Sequence, residues 1–208
     1  MRPRSFTVLG AVTLGLLLFR APQASAEWQL KPFAGATYGG DSTFLFVGPA
    51  ILAPNPNYPH FAYGVSGLLL GEILGIEADF GHTPGFFQST NATSIVKIAD
   101  SGVFTLTGNL VVAMPRRLTQ YTLRPYLVGG AGIMHIAFDT ESNVIQVVET
   151  LRAMDLGAGV TGFVTRRVGV SWDVRYFRSI DRTIEQGYSL GSERLSFWRA
   201  SMAMAIRL

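Results

Sequence analysis

Apolar residues recur at every second position along most of this chain. A period of two is typical of β-strands with one apolar face, whereas amphipathic helices repeat every 3.6 residues. The alternating segments are about ten residues long, the length of a strand that crosses a membrane at a tilt. We identify eight of them: Trp28–Tyr38, Phe61–Gly71, Leu74–Thr83, Gly102–Met114, Leu123–His135, Leu151–Val164, Val168–Arg178 and Leu195–Leu208.

Short and long connections alternate between these segments. The short ones consist of Glu72 and Ile73, of a stretch around Pro115 to Arg117, and of Thr165 to Arg167. The long ones are 39–60, 84–101, 136–150 and 179–194. An up-and-down barrel gives this alternation when one rim faces the periplasm and the other faces the outside. We therefore predict an all-β fold, an eight-stranded antiparallel up-and-down transmembrane β-barrel, with both termini on the periplasmic side.

Each predicted strand has an apolar row and a second row that is rich in charge and glycine. Across the chain, the second row collects Glu77, Asp79, Asp155, Asp173, Arg175 and Arg199. Eight strands leave a lumen just wide enough for side chains to fill. We interpret these residues as a mixed-sign ion-pair network that fills the lumen. A pair of carboxylates for acid–base catalysis is the alternative interpretation.

The alternation alone does not decide which row faces outward, because a soluble lipocalin-type barrel has the opposite sidedness. Aromatic residues near the strand ends favour the membrane version, since membrane barrels carry aromatic girdles at both interfaces. These residues are Trp28, Phe61, Tyr63, Phe80, Tyr176 and Trp198. The last segment also runs to Leu208, where a lipocalin places a helix and a tail.

The first 26 residues have the pattern of an export signal. Met1 to Arg4 give a positive start, Phe6 to Phe19 an apolar run, and Ala24-Ser25-Ala26 a cleavage site. We predict a cleaved signal peptide over residues 1–26 and one outer-membrane barrel domain over residues 27–208.

The basic excess of the chain belongs to this leader. Arg2, Arg4 and Arg20 account for the formal charge of +3, which leaves 14 basic and 14 acidic residues of the original 17 and 14. A balanced chain of this kind lacks the basic footprint of a nucleic-acid-binding protein, so we predict no nucleic-acid partner.

Four stretches carry a family resemblance: Thr105–Leu110, Arg124–Leu127 with the glycines that follow, Asp173–Phe177 and Phe197–Ala200. In this order they resemble the bacterial outer-membrane β-barrel superfamily of the OmpA/OmpX type, over essentially all of 27–208. The resemblance implies a bacterial outer-membrane location and contact with outer-membrane lipid and lipopolysaccharide. It also implies recognition of the C-terminal strand by the barrel-assembly machinery. The chain departs from the pattern in ending with Leu208, where Phe is common, and in having no peptidoglycan-binding domain after the barrel.

Histidines offer little support for a metal or catalytic site. His60, His82 and His135 fall at predicted strand–loop junctions, without a ligand spacing such as H-x3-H. We interpret them as interfacial polar tips and predict no metal and no cofactor. His82 with Ser89 is the one pairing that suggests a lipid A-modifying enzyme, and no Ser–His–Asp motif accompanies it.

Paired arginines occupy two of the short turns, at Arg116-Arg117 and Arg166-Arg167. We interpret them as solvated turn charges. Acidic lipid headgroups or a periplasmic partner are the alternative ligands.

The preferred function is non-enzymatic: an integral outer-membrane barrel with a largely filled lumen and four extracellular loops, in a structural or surface-interaction role. Loop 39–60 combines apolar Phe44–Val47 with a proline-rich stretch, which indicates a lid or a contact surface for an unknown extracellular partner. A narrow transport barrel is the alternative, passing small or apolar solutes through a lateral opening beneath loop 39–60. A lipid A-modifying enzyme and a soluble lipocalin-like barrel are the remaining hypotheses.

Overall fold

The computed structural model describes residues 26–39, 46–47, 50–51, 59–86, 98–119, 123–140, 146–180 and 195–208. Its strands are β1 (Glu27–Tyr38), β2 (Phe46–Val47), β3 (Ala50–Ile51), β4 (His60–Leu70), β5 (Leu74–Pro84), β6 (Ile98–Ala113), β7 (Leu123–Thr140), β8 (Gln146–Phe163), β9 (Val168–Ser179) and β10 (Ser196–Arg207). A short 3-10 helix spans Arg116–Leu118. Within the described residues, no helix has the length and hydropathy needed to cross a membrane. The predicted signal peptide lies outside these residues, except for Ala26.

The eight long strands close into one antiparallel barrel in the order β1-β10-β9-β8-β7-β6-β5-β4, and β4 pairs with β1. The two short strands, β2 and β3, pair with each other inside the predicted loop 39–60. Closure leaves no free sheet edge in the barrel, so the backbone polar groups of the strands are paired as a lipid environment demands. The predicted fold class is confirmed.

Strands β7 and β8 are longer than the sequence predicted. Their pairing continues past His135 and Leu151, up to Asp139 opposite Gln146. The prediction of a long connection over 136–150 is therefore wrong, because only 141–145 lies between the two strands. Beyond the segments long enough to cross a membrane, β7 and β8 still satisfy their N–H and C=O groups by pairing with each other. This pairing does not depend on the side-chain pattern.

The short connections, the start of β1 and the end of β10 lie at one rim of the barrel, which we call the turn rim. Its described residues are 71–73, 114–119 and 164–167, together with Glu27 and Arg207. Backbone hydrogen bonds fix the first and third turns, from Gly71 N to Leu74 O at 2.8 Å and from Val164 N to Val168 O at 3.0 Å. The opposite rim, which carries the remaining connections, is the loop rim.

The two rows of each strand face opposite sides of the barrel wall. The outward row is apolar and open, and Leu74, Leu110 and Leu156 in it are each more than two-thirds exposed. The inward row is largely buried and holds the six charged residues of the predicted network. Large apolar side chains over most of the outer surface fit a lipid environment. The soluble lipocalin-like alternative needs the opposite arrangement and does not fit.

Candidate functional site in the barrel lumen

Arg175 lies in the centre of the lumen and contacts all four carboxylates of the predicted network. Its Nη1 lies 3.0 Å from Glu77 Oε2, and its Nη2 lies 2.9 Å from Asp173 Oδ2. The same Nη1 lies 3.8 Å from Asp79 Oδ2 and 3.8 Å from Asp155 Oδ2. Since a guanidinium carries five N–H donors in a planar fork, one side chain can serve several acids.

A second arginine, Arg199, pairs with Asp79. Its Nη2 donates to the two carboxylate oxygens at 2.8 Å and 2.9 Å. Its guanidinium also lies over two aromatic rings, 4.3 Å from the centroid of Phe33 and 4.9 Å from that of Phe177. Cation–π attraction is strongest where water is excluded, so these rings help to hold the charge inside the barrel.

Hydroxyl and amine groups complete the network near Asp173. Tyr126 Oη donates to Asp173 Oδ2 at 3.1 Å, and Ser201 Oγ donates to Oδ1 at 2.6 Å. Lys31 Nζ lies 3.7 Å from Glu77 Oε1 and 4.8 Å from the centroid of the Tyr126 ring. Buried acids need such donors, because a buried charge without partners is strongly destabilising.

All six predicted network residues therefore meet in one layer, which we call the charged layer. Five of them are buried, and the side chain of Asp173 is 11% exposed. With Lys31, the layer holds three cations and four carboxylates. With its side-chain amide assigned in the orientation that satisfies its neighbours, Asn109 donates to Asp155 Oδ1 at 2.8 Å and accepts from Arg175 Nη1 at 3.1 Å. The alternation places Asn109, Tyr126 and Ser201 on the inward row, but nothing in the sequence distinguishes them from other polar residues there.

Inward glycines make the space that the charged layer occupies. A Cβ atom on Gly81 would lie 2.5 Å from Arg199 Nη1, and one on Gly159 would lie 2.5 Å from Tyr126 Cζ. Both distances are too short for real contacts. These inward glycines therefore leave room for the large side chains of Arg199 and Tyr126.

Two apolar clusters, which the alternating sequence pattern did not predict, lie in the lumen on either side of the charged layer. The loop-rim cluster consists of Phe86, Val103, Met134, Ile136, Leu151, Ala153, Phe177, Leu195 and Phe197. The turn-rim cluster consists of Leu68, Leu70, Val111, Ala113, Tyr126 and Val128. Within the first, the rings of Phe177 and Phe197 stack with centroids 5.2 Å apart. The barrel interior thus combines an ion-pair layer with ordinary apolar packing.

At the turn rim, Glu27 joins three parts of the chain. Its carboxylate accepts hydrogen bonds from Arg207 at the end of β10 and from Arg116 in the connection between β6 and β7. The guanidinium of Arg207 lies 3.9 Å from the ring centroid of Phe163 and donates to Arg166 O at 3.1 Å. We call the contact of Glu27, Arg116 and Arg207 the rim clasp. No sequence pattern predicted it, because the three residues are far apart in the chain.

The predicted interfacial aromatics are unevenly distributed between the two rims. Trp28 lies near the turn rim and is 57% exposed. The others lie in the loop-rim half of their strands: Phe61, Tyr63, Phe80, Tyr176 and Trp198. Contacts link some of them, with ring centroids 5.9 Å apart for Phe61 and Tyr63 and 5.0 Å apart for Tyr176 and Trp198. The described aromatics therefore favour the loop rim.

The histidines pack among aromatic and hydroxyl groups. His82 stacks on Phe104 with centroids 4.0 Å apart and meets Tyr63 edge-on at 5.4 Å. His135 Nδ1 lies 2.9 Å from Thr150 Oγ1. Among the residues that the structure describes, no three potential metal ligands come together. Ser89, the suggested partner of His82, lies outside the described residues.

A closed eight-stranded antiparallel wall, apolar outside and charged within, is the architecture of transmembrane β-barrels. Solved structures of this class are similar to it. Neisserial surface protein A matches with a TM-score of 0.58 and 13% identity, covering 86% of this chain and 96% of that one. The N-terminal β-barrel domain of Pseudomonas aeruginosa OprF matches with 0.55 and 11%, over 88% and 97%.

The outer membrane protein OprG from Pseudomonas aeruginosa gives a TM-score of 0.54 at 14% identity, over 89% of this chain and 97% of that one. No protein-family model and no curated protein sequence matches the chain. At these identities the likeness concerns the fold. The resemblance to eight-stranded outer-membrane barrels is confirmed at that level.

Proposed function

We propose that the protein is a non-enzymatic integral barrel of the bacterial outer membrane, with a closed lumen and a structural or surface-interaction role. One observation carries the proposal: side chains occupy the lumen at successive levels. Phe177 and its neighbours pack beneath the loop rim, Arg175 and its four acids cross the middle, and the rim clasp lies at the turn rim. A lumen filled in this way leaves little room for a solute.

The alternative functions find less support in the described strands. A lateral opening beneath loop 39–60 needs a gap between β1 and β4, but their pairing runs without interruption from Glu27 opposite Leu70 to Thr37 opposite His60. Acid–base catalysis needs an available carboxylate, whereas the acids of the charged layer are engaged by arginines and hydroxyls. Packing and charge balance account for these groups without a reaction.

The proposed contacts follow from the faces of the barrel. The apolar outer row contacts outer-membrane lipid, and the loop-rim aromatics lie beside lipopolysaccharide in the outer leaflet. Strand β10 is the element that the assembly machinery recognises. An extracellular partner is contacted through the loops, and much of loop 39–60, including Phe44 and Leu45, lies outside the described residues.

Membrane residence is tested by gel mobility. The folded barrel is expected to migrate differently from the boiled protein in a detergent gel, because the closed antiparallel ladder resists detergent until it is heated. The protein is also expected to require detergent or lipid to stay in solution. Identical migration before and after boiling, in a protein that is soluble without detergent, would contradict a membrane barrel.

A planar lipid bilayer tests the closed lumen. Purified barrel is expected to give no steady single-channel current steps, because the charged layer and both apolar clusters obstruct the pore. The same preparation must show the heat-dependent gel shift, so that an absence of current can be attributed to a folded barrel. Reproducible steps of one size in several preparations would support the transport alternative instead.

A further inference from the structure

The turn rim carries an excess of arginine on one side of the barrel. Its arginines are Arg116, Arg117, Arg124, Arg166, Arg167 and Arg207, and its described acids are Glu27 and Glu72. All six arginines belong to the arc of wall that runs from the end of β6 to β10, through β7, β8 and β9. Both acids belong to the remaining arc, formed by β1, β4 and β5. The rim is therefore electrically one-sided.

Half of these arginines are committed to the protein itself. Arg116 and Arg207 donate to Glu27 in the rim clasp. Arg124 is buried and donates to the carbonyl oxygens of Met114, Gly71 and Glu72 at 2.6–3.0 Å. These three side chains hold the turns together.

The other three arginines, Arg117, Arg166 and Arg167, are exposed. Within the described part of the chain, none of them forms an ion pair with an acid. Their side chains are therefore available to an external anion, and they lie in two separate turns that flank β7 and β8. We call them the free arginines.

Both turns hold their arginines next to an exposed aliphatic residue. Thr165 Oγ1 accepts from Arg167 N at 3.3 Å and from Val168 N at 2.9 Å, which fixes the turn that follows Val164. Val164 is 83% exposed, and Leu118, which follows Arg117, is 70% exposed. An aliphatic side chain close to an arginine suits the surface of a lipid leaflet. The apolar side chain can contact the acyl chains while the guanidinium contacts the headgroups.

We propose that this arc of the turn rim binds the phosphate headgroups of anionic phospholipids in the adjoining leaflet, through Arg117, Arg166 and Arg167. The proposal rests on the proposed membrane residence. Anionic headgroups attract basic residues at the membrane surface, and guanidinium groups bind phosphate oxygens in a bidentate geometry. The described loop rim differs in carrying most of the predicted interfacial aromatics, with Phe61 beside Tyr63 and Tyr176 beside Trp198.

Two tryptophans on the outer surface provide reporters for the two arcs. Trp172 lies on β9, which begins directly after Arg167, and Trp28 lies on β1, beside β4. Both are more than half exposed on the lipid side. The variants W28F/W198F and W172F/W198F leave one tryptophan each. Each protein is reconstituted into two kinds of phosphatidylcholine vesicle. One contains phosphatidylglycerol with brominated acyl chains, and the other contains the same fraction of phosphatidylcholine with brominated acyl chains.

We expect brominated phosphatidylglycerol to quench Trp172 with a relative affinity about threefold higher than that of brominated phosphatidylcholine at low salt. The preference should weaken as ionic strength rises. The triple variant R117Q/R166Q/R167Q should bring the ratio to about one, and R117K/R166K/R167K should restore most of it, because positive charge is the main requirement. Trp28 should report a smaller preference.

The outcomes separate the two proposals. The lipid proposal is overturned if both lipids quench Trp172 equally, or if the preference for phosphatidylglycerol persists in the triple glutamine variant. Either result still places the barrel in the bilayer, so the proposed function is unaffected. A Trp28 preference as large as that of Trp172 overturns its assignment to one arc. If neither lipid quenches Trp172, the protein is not in the bilayer, and the proposed function fails together with the lipid site.

Discussion

Replacing Arg175 with methionine is expected to lower the free energy of unfolding by about 3–5 kcal/mol, the cost of breaking a buried ion pair by removing one partner. Methionine fills much of the same space, so the loss is mainly electrostatic. Four carboxylates would remain in the charged layer and lose the side chain that contacts them all. The measurement is the urea midpoint of the barrel in lipid vesicles, followed by tryptophan fluorescence.

Arg178 provides the matched control on the same strand. It is exposed on the outward row of β9, so Arg178→Met should change stability by no more than about 0.5 kcal/mol. Arg175→Lys should fall between the two, because lysine keeps the charge but cannot reach several acids at once. Equal midpoints for the wild type and Arg175→Met would show that the network is not holding the barrel together.

Valine at Gly159 is expected to destabilise the barrel by about 2–3 kcal/mol, through overpacking of the lumen. The new Cβ would lie 2.5 Å from Tyr126 Cζ and 2.6 Å from its hydroxyl oxygen. Tyr126 would have to move, and its hydrogen bond to Asp173 would be lost with it. The same unfolding measurement detects the change.

Gly108 is the control for this substitution, because a Cβ there meets no atom within 4 Å. It lies on the outward row of β6, so Gly108→Val places a β-branched residue against lipid. That change should leave stability within about 0.5 kcal/mol of the wild type, or raise it slightly. If both valines cost the same, the strand backbone rather than the lumen would be the origin of the effect.

Outward residues such as Leu110 and Leu156 are the reason that the fold could be predicted from the sequence. Lipid contact requires nearly every outward position to be apolar, so the period of two persists from strand to strand. Inward positions carry no such requirement, since a packed lumen accepts Phe177 next to Arg175 on the same row. The alternation therefore predicted strands and faces, but not the apolar clusters inside.

The pairing within the charged layer depends on distances that no local pattern encodes. Arg175 on β9 meets Glu77 on β5 across the lumen, between strands that are not neighbours in the wall. Which charges meet is fixed by the curvature and register of the closed barrel. The alternation also did not predict the extension of β7 and β8 beyond His135. The strands are held together there by backbone pairing, which leaves no side-chain pattern in the sequence.

The rim clasp also bears on the order of assembly. Glu27 and Arg207 are separated by 180 positions in the sequence, and β1 completes its ladder only by pairing with β10. Until the last strand arrives, β1 and the growing sheet present unpaired backbone groups, which hydrocarbon does not tolerate. Contacts this distant in sequence also form slowly. We therefore expect β1 and β10 to pair late in folding, and the rim clasp to form only when they do.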